Sequence, residues 1–375
     1  MLKSLLLGLA LVAFPLTAQQ QPEDPPLELE FPEGKFTAFS FFVENDLVQA
    51  GGRNEDRNYT GGFGFQFNGR FIRMAHLTAP LDASDGLTRF SKKKHEVRER
   101  HYHSLLVFGT GFTPDNLNTE EPVLDDRPYA SLVGIAVRRL SVSNASFDHA
   151  WSSEFAVAML GLGVAESVQT TLHRRLRARS GLEVPYDPLG WENQISDGGE
   201  LTALYRIGYE AHLAGAKPGT PERRHFQLTG GFGASAGYYT NANLLLNARL
   251  GWFDTEFWEF TPNAMSLGNQ VARSDRRSNW ELFAFAGVRP RLNIYNALLQ
   301  GQFAASVHTV DPKPVTLEWD LGVALYVPRI RTQVTWNAFA GRTPEFEGGT
   351  PRTHTWGSII VTFVARGKQD DDREQ

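Results

Sequence analysis

Between residues 316 and 328 the chain alternates: Leu317, Trp319, Leu321, Val323, Leu325 and Val327 hold odd positions, and Glu318, Asp320, Gly322 and Ala324 hold even ones. Successive side chains of an extended strand point to opposite faces, so this stretch has one apolar face and one polar or small face. The pattern recurs at 59–68, where Phe63, Phe65 and Phe67 alternate with Gly62, Gly64, Gln66 and Asn68. It returns at 332–341, with Val334, Trp336, Ala338 and Ala340 set against Gln333, Thr335 and Asn337. Strands of this kind separate a polar interior from lipid.

Twelve segments read as strands: near 36–46, 58–70, 102–113, 129–143, 150–163, 200–213, 222–239, 242–253, 279–297, 314–328, 330–342 and 355–366. Most run ten residues or more, longer than a typical soluble strand and suited to a tilted membrane crossing. Trp and Tyr gather at segment ends, as in Tyr238-Tyr239, Trp252, Trp258 and Trp356, where interfacial girdles would lie. The expected fold is all-β, an antiparallel transmembrane β-barrel of about 12 strands over residues 36–366. No repeat of fixed period marks a propeller.

The first residues fit that destination. Lys3 precedes an unbroken apolar stretch from Leu5 to Phe14 and then Leu16-Thr17-Ala18, which reads as a secretory signal peptide over 1–18. The stretch is too short to span a bilayer as a helix. Residues 19–35, with Pro22, Pro25, Pro26 and Pro32 among acids, read as a disordered leader, and 367–375 as a charged periplasmic tail. With no cysteine, lipid attachment through a thioether, disulfides and thiol catalysis are excluded. A net charge of -5 argues against a nucleic-acid partner.

With a periplasmic N-terminus, odd strands run outward. The connections 47–57, 114–128, 164–199, 298–313 and 343–354 then face outside, and 71–101, 144–149, 214–221 and 254–278 face the periplasm. The basic run Lys92-Lys93-Lys94 reads as a solvated loop. Several unusual polar stretches fall on the outward side: Glu44-Asn45-Asp46, Asn58-Tyr59-Thr60-Gly61-Gly62, Asp125-Asp126-Arg127-Pro128-Tyr129-Ala130 and Gly190-Trp191-Glu192-Asn193-Gln194. Residues 165–179 lack Gly and Pro and precede Gly181, which predicts one short extracellular helix. On it Gln169 and His173 are four apart and share a face. Histidine is the natural general base near neutral pH.

Strand phase predicts directions. Placing Phe63, Phe65 and Phe67 against lipid turns Thr60, Gly62 and Gly64 toward the lumen. Placing Phe39, Phe41 and Val43 against lipid turns Ser40, Glu44 and Asp46 inward. Asn45 then points outward unless the strand ends or bulges there, and such a break is expected. Gly233-Ala234-Ser235-Ala236-Gly237 matches a nucleophile elbow in letters only, since no helix follows it, and Ser235 is assigned to packing in a narrow lumen.

The ordered motifs Asn45-Asp46, Tyr59-Thr60-Gly61-Gly62, Asp126-Arg127-Pro128-Tyr129-Ala130, Gln169 with His173, and Gly190-Trp191-Glu192-Asn193-Gln194 resemble the outer-membrane lipid A 3′-O-deacylase family. The likeness runs from residue 36 to about 210. It implies a Ca²⁺-dependent esterase of the bacterial outer membrane, its site on the extracellular side, that removes the 3′-linked acyloxyacyl chain from the lipid A of lipopolysaccharide. By the same resemblance His173 would activate water with help from Gln169, Asp46 would hold Ca²⁺, and Asn45 and the metal would stabilise the oxyanion. Thr60 matches a further site position. The chain departs from the family where a Lys-Arg pair can stand after the third strand. Here Asp115-Asn116-Leu117-Asn118 is followed by Glu120 and Glu121, so Arg174 and Arg175 become the candidates for lipid A phosphates. The alternatives are an outer-membrane phospholipase and a non-catalytic barrel.

Overall fold

The computed structural model describes residues 33–51, 58–88, 99–143, 147–180, 187–220, 223–262, 279–348 and 352–365. The expected signal peptide, most of the leader, the C-terminal tail and Lys92-Lys93-Lys94 lie outside the described residues.

Twelve antiparallel strands close on themselves. They are β1 (Ala38–Asn45), β2 (Asn58–Asn68), β3 (Glu99–Thr113), β4 (Ala130–Ser143), β5 (His149–Leu160), β6 (Glu200–Gly215), β7 (Arg224–Gly237), β8 (Tyr239–Phe253), β9 (Glu281–Asn296), β10 (Val315–Val327), β11 (Thr332–Arg342) and β12 (His354–Val364). The seam runs from Ala38↔Val364 to Asn45↔Gly357 between β1 and β12, so no edge is left unpaired. Both outer strands of that seam begin or end at one rim, here called the terminal rim; the opposite rim is the mouth.

The alternation of β10 is the rule of the wall. Leu317, Leu321, Val323 and Leu325 are exposed outward, and Glu318 and Asp320 are buried inside. Bulges reset the phase elsewhere, among them one between Tyr59 and Gly61 in β2 and a second between Asn337 and Ala340 in β11. Past the second, Phe339 is exposed and Ala340 buried, so the outward position predicted for Ala338 and Ala340 passes to Phe339.

Charged side chains fill much of the lumen. Glu154 pairs with Arg138 and Arg206, and Glu318 with Arg291 and Arg342. The first part of the long connection after β8, residues 254–262, turns into the terminal rim. A 3-10 turn at Phe257–Glu259, closed by a capping box between Glu256 and Glu259, seats Phe257 and Trp258 on Leu140, Val142 and Ala150, and Phe260 on Phe283 and Phe285.

Sequence reading anticipated one helix; the described residues hold four: α1 (Phe71–Met74), α2 (Ala79–Thr88), α3 (Val164–Ser180) and α4 (Ala297–Gln300). Only α3 matches the expected one. The end of the expected leader is also anchored, because Glu33 bonds His103 at 2.7 Å and the Gly34 carbonyl accepts the Arg70 N–H at 3.0 Å.

Inside, Gly64 makes room for Phe42, whose ring shares the lumenal phase. A Cβ on Gly64 would meet that ring at 2.5 Å and the Val107 carbonyl at 2.6 Å. The carbonyl belongs to the neighbouring strand and cannot move aside. Gly64→Ala is therefore expected to destabilise the barrel by about 1–3 kcal/mol, the usual range for overpacking. The temperature at which the compact form unfolds in detergent gels measures it; an unchanged temperature would reject the packing argument.

Candidate functional site

Asn45, Asp46, Thr60 and Gln169 lie on the outer wall near the mouth, not in the lumen. β1 keeps an unbroken register through Asn45, so Asn45 continues the outward phase of Phe39, Phe41 and Val43. The strand does end at Asn45, as expected, and a turn begins at Asp46, yet Asn45 still points outward. Thr60 is the extra residue of the β2 bulge: Tyr59 pairs with Phe112 and Gly61 with Gly111, leaving Thr60 between them. Tyr59 and Phe112 face the lumen, and the Thr60 hydroxyl meets that of Thr113, at 2.8 Å, on the outward phase. The bulge thus turns Thr60 away from the lumen to which regular alternation assigned it.

Asn45 joins the two elements with both ends of its amide. Its Oδ1 accepts the Leu47 N–H at 2.8 Å, capping the turn Asp46–Val48, and its Nδ2 donates to the Thr60 carbonyl at 2.5 Å. Aspartate could cap the turn but could not donate. The turn folds back across the outside of the wall, where the Val48 carbonyl accepts the Trp336 indole N–H at 2.9 Å and the backbone lies over Gly357. Asp46, buried in this turn, therefore belongs to the outer wall and not to the lumen as its parity predicted.

The second side is α3. A Cβ on Gly111 would meet Ala165 at 3.1 Å, which puts the start of α3 on the outward face of β3. Gln169 is buried and its Oε1 accepts the Trp191 indole N–H at 3.0 Å, while the Trp191 ring packs at a tilt against Tyr129, centroids 4.7 Å apart. The Gly190–Gln194 stretch is a clamp: Gly190 adopts a positive φ of 88°, Asn193 donates to the Glu120 carbonyl, and Gln194 accepts from Ser131. Sequence reading singled out this stretch without its role and missed Thr113 and Gly111. Their signal was small side chains at outward positions.

Asn45 and Thr60 are thus directly bonded, and Gln169 reaches the same wall through Trp191 and Ala165. His173 lies in α3, one turn beyond Gln169, and its side chain is outside the described set. Arg174 is exposed and paired with Asp187 at 2.8 Å, and Arg175 is exposed. Between the loop strands, Asp126 accepts the Asp115 N–H at 2.6 Å, and Arg127 is buried over the Phe112 ring at 4.1 Å. Burial lowers the Arg127 pKa from its ordinary value, and Glu345 opposes the shift.

Among the described residues no three His, Cys, Asp or Glu side chains come together as a metal cluster. Beside the Asp46 carboxylate, the candidate residues on this wall offer neutral oxygens, namely the Asn45 amide and the Thr60 and Thr113 hydroxyls. That set fits a hard, oxygen-seeking cation and not a nitrogen- or sulfur-seeking one.

A separate cavity of about 400 Å³ lies within the lumen at the mouth, lined in part by Glu44, Tyr59, Arg138, Glu154, Arg342 and Glu345. Asn45, Asp46, Thr60 and Gln169 do not line it. The wall stands between the two.

A sequence model described as Outer membrane protein LpxR matches residues 5–364. The chain belongs to the LpxR family. As a member of that family and a closed twelve-stranded barrel, it is an outer-membrane protein. Among solved structures the chain is similar to LpxR from Salmonella typhimurium, with 15% identity, a TM-score of 0.64, and coverage of 88% of this chain and 100% of that one. The likeness at this identity is one of fold, and it extends the LpxR barrel over the whole of the relative. The translocator domain of the autotransporter NalP from Neisseria meningitidis aligns at 9% identity and a TM-score of 0.36, covering 88% of each chain. No curated protein matches the chain.

Proposed function

We propose that this LpxR-family barrel is a lipid A deacylase, an esterase that removes the 3′-linked acyloxyacyl chain of lipopolysaccharide with water activated by His173. The observation that carries this reading is the polar cluster of Asn45, Thr60 and Thr113 on the outer wall with α3 packed beside it. An enzyme acting on a lipid must reach its ester from the bilayer side, and a cluster outside the wall does so without drawing the substrate into the lumen.

In this reading the mouth of the barrel faces the extracellular side, where lipid A resides. His173, one turn past Gln169 on α3, takes the proton from water as it attacks the ester carbonyl. Gln169, held by Trp191, fixes that turn of the helix against β3. Asn45 keeps a second amide N–H beyond the one given to Thr60, available to the developing oxyanion. Ca²⁺, held by Asp46 with the oxygens of Asn45 and Thr60, would polarise the carbonyl when bound. Arg175, and Arg174 in exchange for Asp187, supply the positive charge for lipid A phosphates. A non-catalytic pore is disfavoured by the ion pairs and the aromatic plug that fill much of the lumen.

The test is mass spectrometry of products after incubating the purified barrel with lipopolysaccharide and, separately, with glycerophospholipids. Loss of the 3′ acyloxyacyl mass from lipopolysaccharide alone is expected. Release of fatty acid from glycerophospholipid instead would replace this reading with a phospholipase. Chelation with EGTA is expected to abolish turnover and added Ca²⁺ to restore it. Because one carboxylate makes a weakly charged site, half-restoration should need Ca²⁺ of about 10⁻⁴–10⁻³ M. Turnover untouched by EGTA would remove the metal from the scheme.

A further inference from the structure

The connection between β2 and β3 does not hang from the terminal rim. Ile72 of α1 and Leu81 of α2 are fully buried, and they pack on Val137 with Leu105, Phe155 and Tyr205. Those four wall residues form one row across adjacent strands, Leu105↔Val137, Val137↔Phe155 and Phe155↔Tyr205. The row has the outward phase, because its neighbours Leu106, Ala136 and Arg138 are buried inside. Asp82 of α2 also pairs with Arg139 at 2.6 Å, one outward position further toward the terminal rim. The helix pair therefore lies against the outside of the barrel, on the face that strand alternation reserves for lipid.

Its height follows from the register. The next outward row toward the mouth, Val107↔Ile135↔Val157, is exposed and begins two residues away, roughly 7 Å along the strands. On the far side of the barrel the exposed outward row of β10 runs on from Leu325 to Val315. So α1 and α2 stand where the wall elsewhere shows bare apolar side chains, at the level of the bilayer half nearer the terminal rim.

The surface they present combines apolar and basic groups. Phe36, Met74 and Leu77 are exposed, with Met74 at 60%. Lys35, Arg70, Arg73 and His76 are exposed among them. Backbone bonds fix the patch as a unit, Arg70 N–H to the Gly34 carbonyl at 3.0 Å and Phe71 N–H to the Lys35 carbonyl at 3.1 Å, and the Phe36 and Phe71 rings meet at 6.1 Å. Of the acids nearby whose side chains are described, Glu33 is engaged with His103 and Asp82 with Arg139. Exposed apolar side chains ringed by cations that have no acid partner among the described residues are the signature of an element lying in the interface of an anionic leaflet.

We propose that α1 and α2 lie in the periplasmic leaflet and that Lys35, Arg70 and Arg73 bind the headgroup of an anionic glycerophospholipid. The occupant is lipid because the pair is built onto the lipid-facing wall itself, continuous with the exposed belt above it. This rests on the reading that places the terminal rim in the periplasm, where the leaflet consists of glycerophospholipid. The activity proposed at the mouth is not involved.

Two measurements on the full chain test it. The protein has no cysteine, so Met74→Cys and, as a control on the belt, Ile135→Cys each take a single fluorophore. In vesicles of phosphatidylglycerol and phosphatidylethanolamine, lipid-borne quenchers should quench both, Met74 more by a quencher near the headgroup. Native mass spectrometry should show phosphatidylglycerol preferred over phosphatidylethanolamine. The preference should fall about fivefold per basic residue removed, so about a hundredfold in Lys35→Gln/Arg70→Gln/Arg73→Gln. Quenching at Ile135 but not at Met74 would overturn the proposal while leaving the barrel in the membrane, and would mark the patch as a site for a periplasmic protein. Quenching at neither would overturn the membrane placement as well. Equal affinity for the two lipids, or a triple variant that keeps its preference, would overturn the headgroup site.

Discussion

Replacing His173 by alanine is expected to lower lipid A deacylation by about 10²- to 10⁴-fold, the range lost when a positioned general base is removed. The argument begins with position. Residue 173 follows Gln169 by one turn on α3, and Gln169 is fixed through Trp191 to the same wall that carries Asn45 and Thr60. A residue that merely filled space there would be replaceable by any side chain of similar size. His173→Gln, which keeps volume and a polar end but cannot cycle a proton, should therefore be as inactive as alanine. Mass spectrometry of lipid A from cells expressing each variant reads the activity, and heat-modifiable migration of the barrel shows that it still folds. A fully active His173→Ala enzyme would move the chemistry away from α3. An inactive alanine variant rescued by glutamine would make position 173 structural. Trp191→Phe provides a milder comparison: it keeps the packing on Tyr129 but removes the N–H that Gln169 accepts, so a partial loss is expected.

The barrel was legible because its wall has two unlike solvents. Leu317 to Val327 alternate with Glu318 and Asp320 for the length of a strand, and nothing but a wall between lipid and a polar lumen asks for that at each crossing. The direction of the site was not legible. Thr60 sits in a bulge next to Gly61 and Gly62, and glycines carry no side chain by which a shift of phase could be seen. Asn45 failed in the opposite sense: a polar residue in an outward slot looked like an error of register, whereas it is outward because its partner Thr60 is outside too. The helix pair α1 and α2 escaped detection because α1 has a single turn and α2 contains Pro80 and Gly86. What holds it is the row from Leu105 to Tyr205, contributed by four strands and invisible in the segment itself.

The largest effect on stability is expected inside the barrel, at Glu318. Its carboxylate meets Arg291 at 2.6 Å, Arg342 at 2.5 Å and, more distantly, Arg289 at 4.0 Å. Arg289 also has Asp320 and Arg342 has Glu345, but Arg291 has no second acid among the described residues. Glu318→Gln would leave that guanidinium buried without its counter-charge and three cations crowded together. Breaking a buried pair in this way typically costs about 3–5 kcal/mol. The lower end is expected, since Arg291 and Glu318 border the lumenal cavity, where water can replace part of the lost interaction. The exposed pair Arg174 with Asp187 sets the scale for comparison, and Asp187→Asn should cost less than about 1 kcal/mol. Arg291→Met alone should also destabilise. The double variant Glu318→Gln/Arg291→Met should recover part of the sum, because the orphaned charge is removed with its partner. Thermal unfolding of the four proteins in detergent gives the cycle. Strict additivity would mean that water already screens these charges in the wild type, and that the lumen is held shut by the aromatic plug of Phe257, Trp258 and Phe260 and not by its ion pairs.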